Sequence, residues 1–320
     1  MASCLFALTV ADIIQDTPTY PLLAVSASTA VEDVLDLLLE HDILSVPVRH
    51  PRHPDRFLAF IGVYEVSHVL FQSLSGCQEC LKQPVEQFLH VSPDSDAVKI
   101  VFSPKDSVFR VIQTFLHQHI HRALVMSSVG KEEDIHVVTQ MDLARCLLHH
   151  CDKLPDSVMD RTLQQVYEQG GLHLQPATVS VHDTALACFA ALISSQHGAV
   201  LVVDDAGYSV AQVDPSLVRG LDRRRWDELH QPILRFLSQR NAGEIQRPYV
   251  VRGDFTLRQV LAGLIRQGLH SAWLALPYMS QANTPVGSPW LTTTATKEKE
   301  TRSEVGLALV TLTDILRCFV

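Results

Sequence analysis

Apolar residues recur along this chain at two periods, and the alternation between them organises it. Val31, Val34, Leu35 and Leu38 follow the hydroxyls Ser28 and Thr29 at helical spacing. A short apolar run at 45–48 then predicts a buried strand, a polar stretch rich in His, Pro and Arg a loop, and 57–63 a second strand leading into a helix at 66–71. The same order returns three times. Asp106-Ser107-Val108 opens a helix, followed by strands at 123–126 and 135–139 around a loop at 130–134, and a helix after Asp142. Next come a helix at 184–194 and strands at 199–203 and 208–213 around Asp204-Asp205-Ala206-Gly207. Last come a helix at 256–266, a strand at 272–276, and a strand at 307–311 before Asp314.

Pro47, Leu124, Leu201 and Trp273 occupy equivalent places, spaced by 77, 77 and 72 residues. A second level of repetition pairs the units. Gln83-Pro84-Val85-Glu86-Gln87-Phe88-Leu89 returns as Gln231-Pro232-Ile233-Leu234-Arg235-Phe236-Leu237. The reading is an α+β chain of two halves, each holding two β-α-β-β-α units that need one another to close a core. Its units span 1–76, 77–152, 153–226 and 227–320, with the halves joined near Lys153-Leu154-Pro155-Asp156. The stretch 280–304, rich in Thr, Ser, Pro and charge, breaks the period and is expected to be an exposed, mobile loop insertion.

Composition narrows the function. With 47% hydrophobic and 19% charged residues in 320, the chain can bury a large core. A formal net charge of -9 argues against nucleic acid as a partner. Seven cysteines in a chain of this length suit a reducing cytoplasmic or nuclear setting. The apolar start Cys4-Leu5-Phe6-Ala7-Leu8 lacks a basic flank and meets Asp12 early, so it reads as a structural segment and not a signal peptide. No run approaches the roughly 18 apolar residues of a membrane helix, so no membrane association is expected.

The richest chemistry lies in the second unit. Ile120-His121-Arg122-Ala123-Leu124-Val125 puts a basic pair at one edge of a buried strand, and Thr139-Gln140-Met141-Asp142 puts a hydroxyl and a carboxylate at the edge of the next. His121 and Arg122 could neutralise phosphate oxygens while Asp142 accepts hydrogen bonds from ribose hydroxyls. The competing reading of each Asp is a helix cap, and that of Arg122 a pair with a surface carboxylate.

Four such units in two pairs resemble tandem cystathionine-β-synthase (CBS) repeats forming two Bateman modules. They resemble in particular the γ subunits of AMP-activated and Snf1-type protein kinases. Ser103-Pro104-Lys105-Asp106-Ser107-Val108-Phe109 with Ile120-His121-Arg122 carries the resemblance most strongly, and Val310-Thr311-Leu312-Thr313-Asp314 matches the family's closing turn. The resemblance implies a pseudo-symmetric disk that binds AMP, ADP or ATP in clefts between paired repeats. It also implies two protein partners, a kinase catalytic subunit and a scaffold β subunit. Carried over position by position, the ribose carboxylate falls on Asp142, Asp214 and Asp314, with His68 in the first unit. The hydroxyl before it falls on Thr139 and Thr311, with Glu65 and Ala211 as departures, and the phosphate-facing basic residues on His121, Arg122 and His270. Ser271 replaces an Arg; His197-Gly198 and Leu44-Ser45 match weakly. These departures leave open a second reading, a CBS adaptor that has lost nucleotide binding, and a third, a CBS regulator of another enzyme that takes a different adenosyl ligand.

Other motifs yield less. His117, His119 and His121 alternate, Cys77-x-x-Cys80 is a single pair, and His149-His150-Cys151 is a lone cluster. None has a standard ligand spacing, so no metal site is expected, and surface histidines and reduced thiols are the plainer account. No nucleophile elbow, phosphate loop or dinucleotide fingerprint occurs, so no catalytic residues are assigned and an enzyme is not expected. Arg223-Arg224-Arg225 reads as a solvated helix face.

Overall fold

In each unit a short strand lies parallel to the next across a helix, and that strand turns back antiparallel into a third. The computed structural model describes residues 5, 7–17, 22–71, 76–89, 95–126, 135–154, 156–170, 172, 177–195, 198–240, 243–276 and 306–320. Its sheets are β1 (Val25–Ser26), β2 (Ser45–His50) and β3 (His53–Gly62); β4 (Val101–Phe102), β5 (Arg122–Met126) and β6 (Ile135–Thr139); β7 (Thr178–Ser180), β8 (Val200–Val203) and β9 (Ser209–Val213); and β10 (Val250–Arg252), β11 (Ser271–Leu276) and β12 (Gly306–Thr311). The loops expected at 130–134 and 280–304 lie outside the described residues. No helix among the described residues is long and apolar enough to cross a membrane.

Besides two short helices, Asp156–Met159 and Leu163–Glu168, the described helices are α1 (Val10–Asp16), α2 (Val31–Glu40), α3 (Val63–Phe71), α4 (Val108–Gln118), α5 (Gln140–His149), α6 (Ala185–Ser195), α7 (Ile233–Arg240), α8 (Leu257–Gln267) and α9 (Leu312–Arg317). Four of them bury the same stripe: Val31, Val34, Leu35 and Leu38; Val108, Val111, Ile112 and Phe115; Ala185, Cys188, Phe189 and Leu192; Leu257, Val260, Leu261 and Leu264. Hydroxyls start three of these helices, Ser107, Thr184 and Thr256 accepting from the backbone N–H of Arg110, Ala187 and Gln259. Ala30 has no hydroxyl to offer, and there the Val31 N–H donates to the Gln83 carbonyl.

That last bond belongs to a repeated device in which one unit's connecting segment ties down another unit's helix. The Gln83-Pro84-Val85 motif pairs with Thr29–Val31, and its twin Gln231-Pro232-Ile233 pairs with Asp183–Ala185 through the same two backbone bonds. Thr9 bridges Ser107 and Thr162 bridges Thr256 in the same way. Helix α1 therefore packs on the second unit, against α5.

Two apolar cores result, and neither lies within one half of the chain. One gathers α2 and α3 of the first unit with α6 of the third and with α7, at the start of the fourth, and the Phe71 ring stacks on Phe189 at 4.7 Å. The other gathers α1, α4 and α5 with α8 and α9, joining the second unit to the fourth. The sheets meet the other way, within each half. Ala199, Leu201, Trp273 and Leu309 form a small core between the third and fourth sheets, and Phe60 of β3 packs against the second unit.

Three details differ from expectation. The polar stretch expected as a loop after 48 is mostly strand, β2 running to His50 and β3 starting at His53, so that His50 pairs with His53. Cys77 and Cys80 form a disulfide, where reduced thiols were expected. The short 3-10 helix Gln78–Lys82 brings the two sulfurs together. Arg223 and Arg225 are not a free solvated face: Arg223 pairs with Glu32 at 2.9 Å across two units, and Arg225 pairs with Glu228 at 3.1 Å.

Phe189 is fully buried and touches the rings of both Phe71 and Phe236. Phe189→Ala should cost about 3–5 kcal/mol of unfolding free energy, read from urea titration. A loss under 1 kcal/mol would mean that the core between the first and third units does not hold the halves together.

Candidate functional site

The edge where β6 ends and α5 begins is fixed by a reciprocal cap. Thr139 accepts from the Asp142 N–H, and Asp142 Oδ2 accepts from the Thr139 N–H at 3.0 Å and from its hydroxyl at 2.6 Å. Asp142 Oδ1 accepts from Arg145 at 2.9 Å. The fourth unit repeats this at the start of α9, where Asp314 holds the Thr311 N–H and hydroxyl through Oδ2 and Arg317 through Oδ1 at 2.8 Å. Thr139 and Thr311 are the caps, and both carboxylates, at the third helical position, are buried and fully engaged. The two helix starts also touch, Gln140 Nε2 donating to the Thr313 hydroxyl at 3.0 Å.

Strand register relocates the equivalent positions in the other two units. Arg122 pairs with Thr139 and Ser271 with Thr311, and in the first unit Ser45 pairs with Gly62. Gly62, not Glu65, therefore stands at the threonine position, and a Cβ there would run into the Leu44 carbonyl oxygen. Glu65, not His68, stands where Asp142 does. In the third unit Val200 pairs with Val213 as Ala123 does with Val138, so Asp214 takes the place of the capping threonine. Its Oδ1 accepts from the Ser216 N–H at 2.9 Å at the head of a short 3-10 helix, Pro215–Val218. The third unit's His197 lies outside the described residues.

Glu65 is the residue the sequence reading passed over. It is 0% exposed and its Oε1 lies 3.8 Å from Arg122, which is itself 9% exposed with its guanidinium 5.6 Å from the centre of the Phe60 ring. The first and second sheets are thus joined by a buried ion pair and a cation–π contact. Between the third and fourth sheets the corresponding space is occupied by Trp273, fully buried, whose Nε1 donates to Gln212 at 2.8 Å.

The basic residues converge. His270 is solvent-exposed yet closely surrounded by protein, as befits a side chain lining a recess, and its charge environment includes Asp214, His121, Arg122 and Arg145. Desolvation holds its pKa below the ordinary histidine value, with Asp214 opposing and the three basic neighbours reinforcing the shift. Four predicted residues, His121, Arg122, Asp214 and His270, drawn from three units, therefore share one charge environment. Arg145 joins them, and the recurring Asp-x-x-Arg of Asp142/Arg145 and Asp314/Arg317 was the signal for it. A groove of about 430 Å³ lined by Ser209, Val210, Leu234, Ile245 and Arg247 includes none of these residues. The charge cluster is a better guide to the site than that cavity.

No family model matches the sequence, and no curated protein does. Solved structures match its fold. Protein MJ1225 of Methanocaldococcus jannaschii, described as a candidate archaeal homologue of γ-AMPK, superposes over 96% of this chain and 99% of its own with TM-score 0.66 at 11% identity. The fold is that of a four-repeat CBS protein. An uncharacterised conserved protein from Pyrococcus horikoshii matches 98% of this chain and 100% of its own, with TM-score 0.53 and 15% identity. In CBS terms the paired sheets are two Bateman modules, repeats one with two and three with four, and the two apolar cores join the modules into one disk.

Among its histidines the chain offers a pH probe in His270. His270 titrates below its unfolded value, so the unfolded chain takes up the proton first as pH falls. The stability it contributes is complete above the unfolded pKa of about 6.5 and is lost as pH drops below it. Thermal melts of the ligand-free protein between pH 7.5 and 5.5 should show a smaller acid loss in His270→Gln than in the wild type. Identical profiles would mean that His270 is not held in the recess.

Proposed function

We propose that this chain is a non-catalytic, adenine-nucleotide-sensing regulatory protein, acting as a γ-like subunit with a protein kinase catalytic subunit and a scaffold subunit. The observation that carries this reading is that His121, Arg122 and Arg145 of the second repeat share one charge environment with His270 of the fourth. The Arg122 and Arg145 guanidiniums, paired here with Glu65 and Asp142, could exchange those carboxylates for the phosphates of AMP, ADP or ATP. Thr139 with Asp142 and Thr311 with Asp314 would flank the ribose. The resemblance to γ subunits supplies the adenine and the kinase partners, and the match to the candidate γ-AMPK homologue agrees with it.

On this reading Arg122 has two partners to choose between. Without ligand it pairs with Glu65 across the first module. A bound phosphate would compete for it and loosen that link between the repeats. Nucleotides of different charge would then favour different module arrangements, which is the differential affinity a sensor needs.

The adaptor reading has its own support. Trp273 fills the cleft of the second module, and the Asp142 and Asp314 carboxylates are spent on caps. Calorimetric titration with AMP and with adenosine separates the two. Arg122→Ala should weaken AMP roughly ten- to hundredfold while leaving adenosine nearly unchanged, the loss expected for one charge-assisted hydrogen bond. Glu65→Gln should tighten AMP by releasing Arg122. Equal losses for both ligands would remove the phosphate role. Neither heat nor thermal shift at millimolar AMP or ATP would favour the adaptor.

A further inference from the structure

The C-terminal ends of α1 and α5 meet in a cluster that the nucleotide reading does not use. Asp16 is the last residue of α1, Cys146 lies in the last turns of α5, and His150 follows one turn later at its C-cap. One ligand atom from each lies within 4.8 Å of the other two. Cys146 is fully buried, and the Asp16 and His150 side chains keep 11% and 14% of their surface. His150 Nε2 sits 3.2 Å from Asp16 Oδ2, yet this buried oxygen has no partner in full hydrogen-bond geometry, the Cys146 thiol being the other group that interacts with the carboxylate. A carboxylate oxygen in that state carries a desolvation cost that a hydrogen bond does not repay.

An ion would account for the arrangement. Two ligand atoms each about 2.0–2.1 Å from a shared centre and 3.2 Å apart subtend about 105°, close to a tetrahedral angle. Sulfur, imidazole nitrogen and one carboxylate oxygen form a borderline-soft donor set, which suits zinc and disfavours magnesium or calcium. We propose that Asp16, Cys146 and His150 bind one divalent transition-metal ion of the zinc class, with water as the fourth ligand. The exposed edges of Asp16 and His150 give that water access.

The site would staple α1 onto the second CBS repeat. Binding replaces the thiol proton of Cys146 with a metal–sulfur bond and releases that proton to solvent, with no change of oxidation state. A nucleophilic role for the same Cys-His-Asp grouping is disfavoured, because Cys146 has no exposed surface for a substrate to reach. Its neighbour Cys151 points away, its sulfur accepting from Arg258 at 2.9 Å. His149, exposed and 3.6 Å from the other Asp16 oxygen, is not needed for the set.

The test uses full-length, metal-free protein carrying Cys77→Ser and Cys80→Ser, which removes the other cysteine pair as a ligand source. Cobalt(II) titration should give one equivalent, with a thiolate-to-cobalt charge-transfer band and the visible bands of a tetrahedral site, displaced by zinc. A hundredfold excess of zinc over Kd should raise Tm by about 5 °C. Cys146→Ser, His150→Gln and Asp16→Asn should each abolish the band or weaken binding at least tenfold, and Cys151→Ser should leave it intact. His150→Gln lies at the surface edge, so it tests the site even where the buried cysteine variant folds poorly. Absence of the band, a band that survives both Cys146→Ser and His150→Gln, or one lost with Cys151→Ser would overturn the proposal.

Discussion

Each of the four sheets has to bury both of its faces, and no single repeat can cover both. One face takes helices and the other takes a second sheet, so every repeat needs two different neighbours. This is why the central strands are apolar on consecutive residues instead of alternating: Ala123-Leu124-Val125, Val200-Leu201-Val202 and Ala272-Trp273-Leu274 are buried throughout. In the third and fourth repeats the odd and even residues of the run serve different interfaces. Val200 and Val202 join the core with the first repeat, while Leu201 faces Trp273 of the fourth. A closed ring of four repeats meets the requirement for all of them at once.

That closure also governs the electrostatics at the strand ends. Where sheets and helix starts of several repeats meet, polar side chains are withdrawn from water without being packed in apolar core. Arg122, Glu65, Asp142 and Asp314 are all nearly or fully buried there. A buried guanidinium is tolerable only with a partner, and Glu65 with the Phe60 ring supplies one. The module without that pair, repeats three and four, has Ser271 at the arginine position and a tryptophan filling the gap. The two modules have therefore solved the same desolvation problem differently, one with charges and one with an indole. The charged solution can exchange partners. The indole would have to leave its core.

Much of this was legible in the chain, for a reason that lies in the repeats. A helical stripe or an apolar strand read once is ambiguous, but four copies at spacings of 77, 77 and 72 residues constrain one another, and outside the first unit's hairpin, where β3 starts four residues and α3 three residues early, the helices and strands fall within a residue or two of their expected places. The first strands of the sheets, only two or three residues long, carry too little pattern to be seen. Site positions were less secure because they depend on register. His68 seemed the counterpart of Asp142 until the pairing of Ser45 with Gly62 put Glu65 there. Pairing partners cannot be counted from sequence across a hairpin whose register shifts at Val48 and Arg49. The crossed packing of α1 was hidden as well, since nothing in Val10–Asp16 names the distant helix that covers it.

The cap at Asp142 bears on whether a structural carboxylate can also serve a ligand. Oδ2 is committed to Thr139 by two hydrogen bonds that hold the helix start, and freeing it would unravel the first turn. Oδ1 is held only by Arg145, a side chain that is 37% exposed and therefore cheap to move. Arg145 also lies within the charge environment of His270. If a phosphate enters the recess, Arg145 is the cation most easily drawn to it, and its departure would open Oδ1 toward a ribose hydroxyl while leaving the cap intact. On the nucleotide reading, phosphate and ribose recognition would then be coupled through one mobile arginine, and adenosine, with no phosphate, would meet a carboxylate that is still occupied. Discrimination by phosphate would follow from that exchange as much as from any direct contact with Arg122.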